Sequence, residues 1–429
     1  VMEFLGLYDP QGKMFVVRLL HAALSMVVVV LGYRLTYRLE GRKAARMAGL
    51  LLAILWLFPF ISVRNLIEYT CVPFLLWGTW ILSDRESRRK ALAKGLLAGL
   101  VLGIAFSMRF QSLVYTGGIG LGLLILGRWK EALAAGFGVV VSAFLLLGTI
   151  DIAVWGYPFA ELLAYIDYNM HHYTEYVIGP WYQYILVILG ALVPPVSLFL
   201  VYGFFYTFIR DWRRTLLIFL PVLLFVAFHS YYPNKQERFI LPVLPFIIIA
   251  GTAGWYSFLE HTAFWRKRRV LYRSLWAFFW VVNTILLLVI TTTYSKKARV
   301  ESMTYLSKYE GINNILVENS NRSSINLLPM FYLGQWTGYS EVTNARSAWD
   351  VYAHYKKYSI PMPDFYIFEG EKNIEARLDS ISRYFPGLEH ETTISPGMID
   401  RILFWLNPVN ENQNAYIYRN AILRPEKKE

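Results

Sequence analysis

Long apolar runs, separated by short polar turns, occupy the chain as far as Ile290. They lie at Phe15 to Tyr33, Met47 to Ile61, Leu66 to Leu82, Gly95 to Met108, Leu113 to Leu126, Ala132 to Ile150, Tyr184 to Phe208, Leu216 to Phe228, Phe239 to Phe258 and Leu275 to Ile290. Each predicts a membrane-crossing helix, about ten in all. Several are shorter than the ~20 residues that cross a 30 Å hydrocarbon core, so they must end in flanking aromatic residues or tilt among neighbours.

The connections between runs alternate in charge. One set carries Arg34, Arg38, Arg42, Lys43 and Arg46, then Arg85, Arg88, Arg89, Lys90 and Lys94, then Arg128 and Lys130, then Arg210, Arg213 and Arg214, then Arg266 to Arg269 and Arg273. The other set is poor in cations, and its stretch from Asp151 to Pro180 has no Lys or Arg. Cytoplasmic loops of membrane proteins hold the excess of Lys and Arg, so an even number of crossings is expected, with both ends of this chain outside.

After Ile290 the pattern changes. Short β-like runs at Asn314 to Glu318, Asp364 to Phe368, Ile402 to Leu406 and Ala415 to Tyr418 alternate with polar or helical segments, which predicts a small water-soluble α/β domain. The expected fold class is therefore mainly α, a polytopic transmembrane bundle over residues 1–293, followed by a soluble domain over 294–429. No internal repeat or inverted symmetry is visible. Asn321-Arg322-Ser323 matches a glycosylation sequon, a pattern short enough to arise by chance.

Composition agrees with a membrane protein: 56% of residues are hydrophobic and 17% charged, against about 25% charged in soluble domains. The net charge of +12 reflects the loop clusters and so reports topology rather than nucleic-acid binding. Cys71 is the only cysteine and lies in an apolar run, which excludes an intrachain disulfide, a cysteine metal cluster and a redox pair.

Polar residues gather at the ends of spans on the expected outer side, where charge is tolerated and substrates arrive from lipid and water. In Arg64-Asn65-Leu66-Ile67-Glu68 the two charges either close a tight turn as an i, i+4 ion pair or hold a substrate. Arg109, within Ser107 to Ser112, either snorkels or forms bidentate phosphate contacts. The stretch from Gly148 to Tyr182 contains Asp151, Trp155, Gly156, Tyr168, Asn169 and the pair His171-His172; its aromatics also fit interfacial anchoring. The adjacent histidines lack the i, i+4 spacing that grips a metal, so the ligand spacing supports no divalent metal and no cofactor is expected. Lys235, Glu237 and Arg238, between Tyr231 and Pro245, could hold a phosphate at headgroup level or serve as interface anchors.

Taken in order, these stretches resemble glycosyltransferase family 22, the polyprenyl-phosphate-mannose-dependent mannosyltransferases of the GT-C superfamily. The resemblance rests on Arg18 to Ser25, Arg64 to Glu68, Gly103 to Phe106 through Arg109-Phe110, Asp151 with Trp155-Gly156 and Tyr168-Asn169, Pro180-Trp181-Tyr182, and Lys235 to Pro245. The family's His-Lys-Glu-x-Arg-Phe motif stands here as Asn234-Lys235-Gln236-Glu237-Arg238-Phe239, keeping the cations but not the His or the first acid. Family members also begin with a further span and an outer loop bearing an acidic pair, and this sequence begins at Val1. A piece lacking that span and the principal catalytic acid is therefore expected, a natural inactive relative being the alternative.

The resemblance implies inverting transfer of a hexose, mannose by preference, from a polyprenyl-phosphate donor to a glycan or lipid-linked acceptor on the outer face. Asp151 is the expected acidic residue, as base or as orienting group. Lys235, Arg238, Arg109, Arg64, Glu68 and Glu237 are the expected contacts to donor phosphate or sugar. The expected location is a bacterial inner membrane with an extracytoplasmic C-terminal domain, or the endoplasmic reticulum in a eukaryote. A noncatalytic, transport or ligase-type protein handling lipid-linked glycans is the competing class.

Overall fold

The computed structural model describes residues 3–84, 90–175, 177–321, 328–406, 413–423 and 425–427. The expected loop cations Arg85, Arg88 and Arg89, and the sequon beyond Asn321, lie outside them.

The helices α1 (Pro10–Glu40), α2 (Arg42–Ile54), α3 (Leu57–Ile61), α4 (Ile67–Thr70) and α5 (Val72–Ser83) come first. They are followed by α6 (Ala91–Met108), α7 (Ser112–Ile125), α8 (Trp129–Ala143), α9 (Thr149–Trp155) and α10 (Ala160–His171). Next are α11 (Gln183–Ala191), α12 (Val196–Arg210), α13 (Trp212–Tyr231), α14 (Leu244–His261), α15 (Phe264–Lys267) and α16 (Arg269–Thr292). Among the described residues six stretches are long and apolar enough to cross a membrane: α1, α6, Trp129–Trp155 (α8 and α9), α13, Glu237–His261 (ending in α14) and α16 with its continuation. A seventh is counted if α11 and α12, bent by 114°, form one broken span. The bend falls at Pro194-Pro195, where missing N–H donors and ring sterics end a helix.

The three other apolar runs are divided into shorter helices. Met47 to Ile61 breaks between α2 and α3, Leu66 to Leu82 is split between α4 and α5, and Leu113 to Leu126 forms the 14-residue α7. A helix break away from water leaves backbone groups unpaired unless a side chain meets them. Asn283 of α16, fully buried, does so: its Oδ1 accepts from the Trp56 amide at 2.8 Å, and its Nδ2 donates to the Ile54 carbonyl at 3.0 Å. The Trp56 indole donates to the Ala191 carbonyl at 3.0 Å, tying this break to the end of α11.

Small residues let two helix pairs approach closely, the usual means of packing where lipid removes the hydrophobic drive. Gly95, Gly99 and Gly103 of α6 lie at four-residue intervals against α8, and a Cβ at Gly99 would collide with the Ala135 carbonyl oxygen. Gly203 of α12 meets Gly251 and Gly254 of α14 in the same way. Gly99→Leu is expected to cost about 3 kcal/mol or more by overpacking, visible as a lowered melting temperature in detergent. A melting temperature equal to wild type would contradict this close crossing.

The second compact unit contains residues from Thr292 onward together with the N-terminal segment through Val17. The apolar pattern places that segment with the bundle; here Gln11 donates to Thr304 Oγ1 at 2.9 Å and Met14 packs against the core of this second unit. Its sheet has the order β2-β1-β3-β5-β4, with β1 (Asn314–Glu318), β2 (Gly338–Val342), β3 (Phe365–Glu369), β4 (Leu388–Ile394) and β5 (Ala415–Asn420). β1 is parallel to β2 and β3, while β5 is antiparallel to β3 and β4. Alternate residues of β1 and β3 enter two cores, Ile315, Val317, Phe365 and Ile367 in one and Leu316, Tyr366 and Phe368 in the other. The helices are α17 (Lys297–Leu306), α18 (Ala348–Lys357), α19 (Ile374–Ser382) and α20 (Met398–Leu406). The strand expected at Ile402 to Leu406 is thus the end of α20. Periodicity over so short an apolar run cannot separate the two; Asp400, buried in the first turn of α20, accepts from the Lys296 and Lys297 amides at 3.3 and 3.2 Å.

Candidate active site around Glu68

Three turns converge on one buried carboxylate. The chain between α3 and α4 reverses within a few residues, the Leu66 amide donating to the Arg64 carbonyl at 2.8 Å, and this places Glu68 in the first turn of α4. Arg109 leaves α6 in an extended conformation, and the Ser112 amide returns to its carbonyl at 2.9 Å. Arg238 lies in the 3-10 turn Glu237–Val243 that precedes α14. Glu68 Oε1 forms ion pairs with both arginines, 3.0 Å from Arg109 Nη1 and 3.2 Å from Arg238 Nε. Arg64 lies over the Phe60 ring, 4.4 Å from its centre.

The two arginines differ in surroundings. Arg109 is buried, passes 5.0 Å from the centre of the Phe239 ring, and donates through Nη2 to Gln111 Oε1. Arg238 donates through Nε to Gln236 Oε1 at 2.8 Å and is ion-paired with Glu68, while its side chain is 52% exposed. Among the described residues its terminal nitrogens meet no acceptor, nor do Glu68 Oε2 and Arg109 Nε find a partner. Buried polar atoms are normally paired, so the last two mark a place where a polar ligand or water completes the site.

A second layer holds these groups. His229, near the end of α13, has Nδ1 2.9 Å from the Phe225 carbonyl and Nε2 3.4 Å from Gln111 Oε1. Tyr165 of α10 hydrogen-bonds Gln111, and its ring lies 5.2 Å from that of Phe110. Tyr184 donates to the Gln236 carbonyl at 3.2 Å. Gln111, His229, Tyr165 and Tyr184 were not among the residues selected from the sequence. Gln111 and Gln236 stand inside the polar clusters, whereas His229 is a lone histidine in an apolar run, a pattern that usually marks core packing.

Lys235 occupies a different position from the one expected. It is 2% exposed, and its ammonium donates to the carbonyls of His229 at 2.6 Å, Ser230 at 2.7 Å and Tyr232. All three donors thus close the C-terminal end of α13, where carbonyls lack helical partners and the helix dipole favours a cation. Burial pulls the pKa of this lysine down. Its amide donates to the Val177 carbonyl at 2.8 Å, and Asn234 pairs with Ile178, which lays the segment after α10 along this turn. Lys235→Met is expected to lower the melting temperature by an amount worth about 2–4 kcal/mol and to leave the KM for a lipid donor within about threefold of wild type. A tenfold rise in KM at unchanged melting temperature would instead put the ammonium on the donor.

Asp151 is 1% exposed, and its Oδ2 accepts from the Glu161 amide at 3.3 Å. It thereby meets the first turn of α10, the helix that carries Tyr165. Glu237 is exposed beside Arg238. His171 and His172 direct Nδ1 at carbonyls one turn back, those of Asp167 at 2.8 Å and Tyr168 at 2.9 Å. Among the described residues no three His, Cys, Asp or Glu side chains are placed to hold a metal ion.

Comparison with known proteins gives a consistent picture. The model of the Alg9-like mannosyltransferase family matches residues 4–332. GPI mannosyltransferase 3 of Kluyveromyces lactis is 23% identical over 309 residues, which cover 66% of this chain and 49% of that protein. The chain therefore spans about half the length of this curated relative. The crystal structure of ArnT from Cupriavidus metallidurans bound to undecaprenyl phosphate matches with a TM-score of 0.59 at 13% identity, over 94% of this chain and 84% of that one. Its apo state matches with a TM-score of 0.58 at 13% identity, over 96% and 84%. Identity this low speaks to the fold alone. With more than half of its residues matched by the family model and the apolar bundle that this fold requires, the chain belongs to the Alg9-like mannosyltransferase family.

Proposed function

We propose that this protein transfers a mannosyl group from a polyprenyl-phosphate carrier to a glycan or lipid-linked acceptor, at the end of the bundle that holds Glu68, Arg109 and Arg238, on the extracytoplasmic or lumenal side. One observation carries the reading. Arg238 donates through Nε to Gln236 Oε1 and is ion-paired with Glu68, which leaves its two terminal nitrogens to face a phosphate. The relative of known structure binds undecaprenyl phosphate, a ligand of this chemistry.

In the reaction the acceptor hydroxyl oxygen attacks the anomeric carbon from the face opposite the phosphate, with inversion. The carbon–oxygen bond to phosphate breaks with its electron pair, and the acceptor proton passes to a base. Negative charge grows on the departing polyprenyl phosphate, and fixed guanidinium groups offset it without reorganising. Arg238 would make that contact. Arg109 adds positive charge behind it, and Glu68 sets the orientation of both. No Gly-rich phosphate loop is needed, because the leaving group is a lipid phosphate rather than a nucleotide.

We assign Asp151 a positioning role, since its carboxylate meets a backbone amide of α10. Asp151→Asn keeps an acceptor oxygen there and is expected to reduce transfer about tenfold or less, whereas loss of a catalytic base costs about 10²–10⁴-fold. Turnover of radiolabelled mannosyl-phosphate dolichol by the protein in vesicles measures this. A loss above a hundredfold with the protein intact in the membrane would return Asp151 to the reaction centre. NMR of the product anomer tests inversion; retention would contradict the single displacement.

A further inference from the structure

The soluble unit carries an apolar helix face that its own core does not use. In α20, Met398, Ile402 and Trp405 stand at i, i+4 and i+7 and so share one side of the helix, with Leu406 beside them. All four are exposed, Trp405 at 78%. Asp400 lies on the opposite side, buried, where it accepts from the Lys296 and Lys297 amides at 3.3 and 3.2 Å. The start of α20 follows the same segment, since a Cβ at Gly397 would sit 3.4 Å from the Tyr294 carbonyl oxygen.

That tether limits how far the helix can lie from the end of α16 along the chain. Lys296 comes four residues after Thr292, the last residue of the apolar helix α16. Four extended residues reach at most about 14 Å, and the nine residues of α20 measure about 14 Å end to end. The headgroup layer of a bilayer leaflet is about 5–8 Å thick, and an interfacial helix sinks about 5–10 Å into it. An exposed apolar face held this near the exit of a span is within reach of the leaflet from which the chain emerges. Arg401 borders the apolar face, and Lys296, Lys297 and Arg299 lie in the anchoring segment, the sign of charge that favours anionic headgroups.

We infer that α20 is an interfacial membrane anchor: its Met398, Ile402, Trp405 and Leu406 side chains insert into the leaflet at the end of α16, and the Asp400 contact to Lys296 and Lys297 transmits that attachment to the soluble unit. The occupant of this face is the lipid surface. A tryptophan with an apolar body and one N–H suits the boundary between headgroups and acyl chains.

The test uses the protein reconstituted into nanodiscs of phosphatidylcholine and phosphatidylglycerol. Cys71, the only cysteine, is fully buried, so a fluorescent maleimide introduced at Trp405→Cys or Ile402→Cys reports that site. Lys356→Cys, at an exposed position on α18, provides the comparison. Doxyl-labelled lipids are expected to quench the probes at 402 and 405 roughly twofold or more strongly than the probe at 356, while aqueous iodide quenches them less. Strong iodide quenching at 402 and 405 without lipid quenching would overturn the inference by placing the face in water. Resistance to both quenchers would also overturn it, because a protein surface rather than lipid would then cover the face.

Discussion

Glu68→Gln is expected to lower transfer by about a hundredfold or more and to lower the melting temperature in the same preparation. The carboxylate is 2% exposed and its Oε1 holds both Arg109, at 3.0 Å, and Arg238, at 3.2 Å. A neutral amide leaves two guanidinium groups around a site with no counter-ion. Breaking a buried pair by neutralising one partner costs about 3–5 kcal/mol, and the half-exposed Arg238, screened by solvent, brings the expected cost toward the lower end. The loss in rate has a separate origin: an Arg238 freed from its Nε contact no longer presents its terminal nitrogens in one place. Each tenfold loss corresponds to about 1.4 kcal/mol of transition-state stabilisation. If the variant does not accumulate, Glu68→Asp keeps the charge but shortens the reach, and is expected to retain the fold with reduced turnover. Wild-type turnover in either variant would remove Glu68 from the site.

Arg238→Ala separates catalysis from stability in the other direction. The side chain is 52% exposed and lies at the rim of the cluster, so its removal is expected to change stability by about 1 kcal/mol or less. Loss of a fixed donor facing the leaving phosphate should cost about 10²–10³-fold in kcat/KM for the lipid donor. Arg238→Lys should recover only part of that activity. An ammonium is a single point of charge and cannot bond Gln236 and Glu68 while holding two parallel donors outward. Donor kinetics in Arg238→Ala that match wild type would show that the phosphate binds elsewhere.

Much of this site is legible in the sequence because membrane burial makes charge conspicuous. Glu68, Arg109 and Arg238 stand at the ends of apolar runs, where an ionisable group is costly unless paired or functional, and the fold brings all three together. Their pairing is less legible. Glu68 and Arg64 have the spacing of a helical ion pair, yet Arg64 precedes α4 and lies outside its helical register. Lys235 and Arg238 look equivalent as neighbouring cations, but the carbonyls at the end of α13 lie within reach of the first and take all three of its donors. The supporting groups carry weaker signals. Asn283 sits within α16 and acts on a break 227 residues away in the chain, at Trp56. No local pattern encodes such a pairing.

The soluble unit shows the same division. β1, β3 and β5 are read from apolar β-rich runs because β1 and β3 are buried along their whole length. β2 (Gly338–Val342) and β4 (Leu388–Ile394) were missed, since they lie at the two edges of the sheet and carry polar residues there. The end of α20, Ile402 to Leu406, reads as a strand because its apolar run is short, whereas its anchoring residue Asp400 meets Lys296 and Lys297, a hundred residues earlier.

The central claim is that a polyprenyl-phosphate sugar is cleaved beside the Glu68–Arg238 cluster. Its most direct test is transfer of radiolabel from mannosyl-phosphate dolichol to a lipid-extracted acceptor pool, with wild-type protein and the Glu68→Gln, Arg238→Ala double variant reconstituted side by side at equal folded amounts. Labelled product from the full-length wild type and a loss of at least about a hundredfold in the double variant are expected. Undiminished transfer by the double variant, or no transfer by the folded full-length wild-type protein, would contradict it.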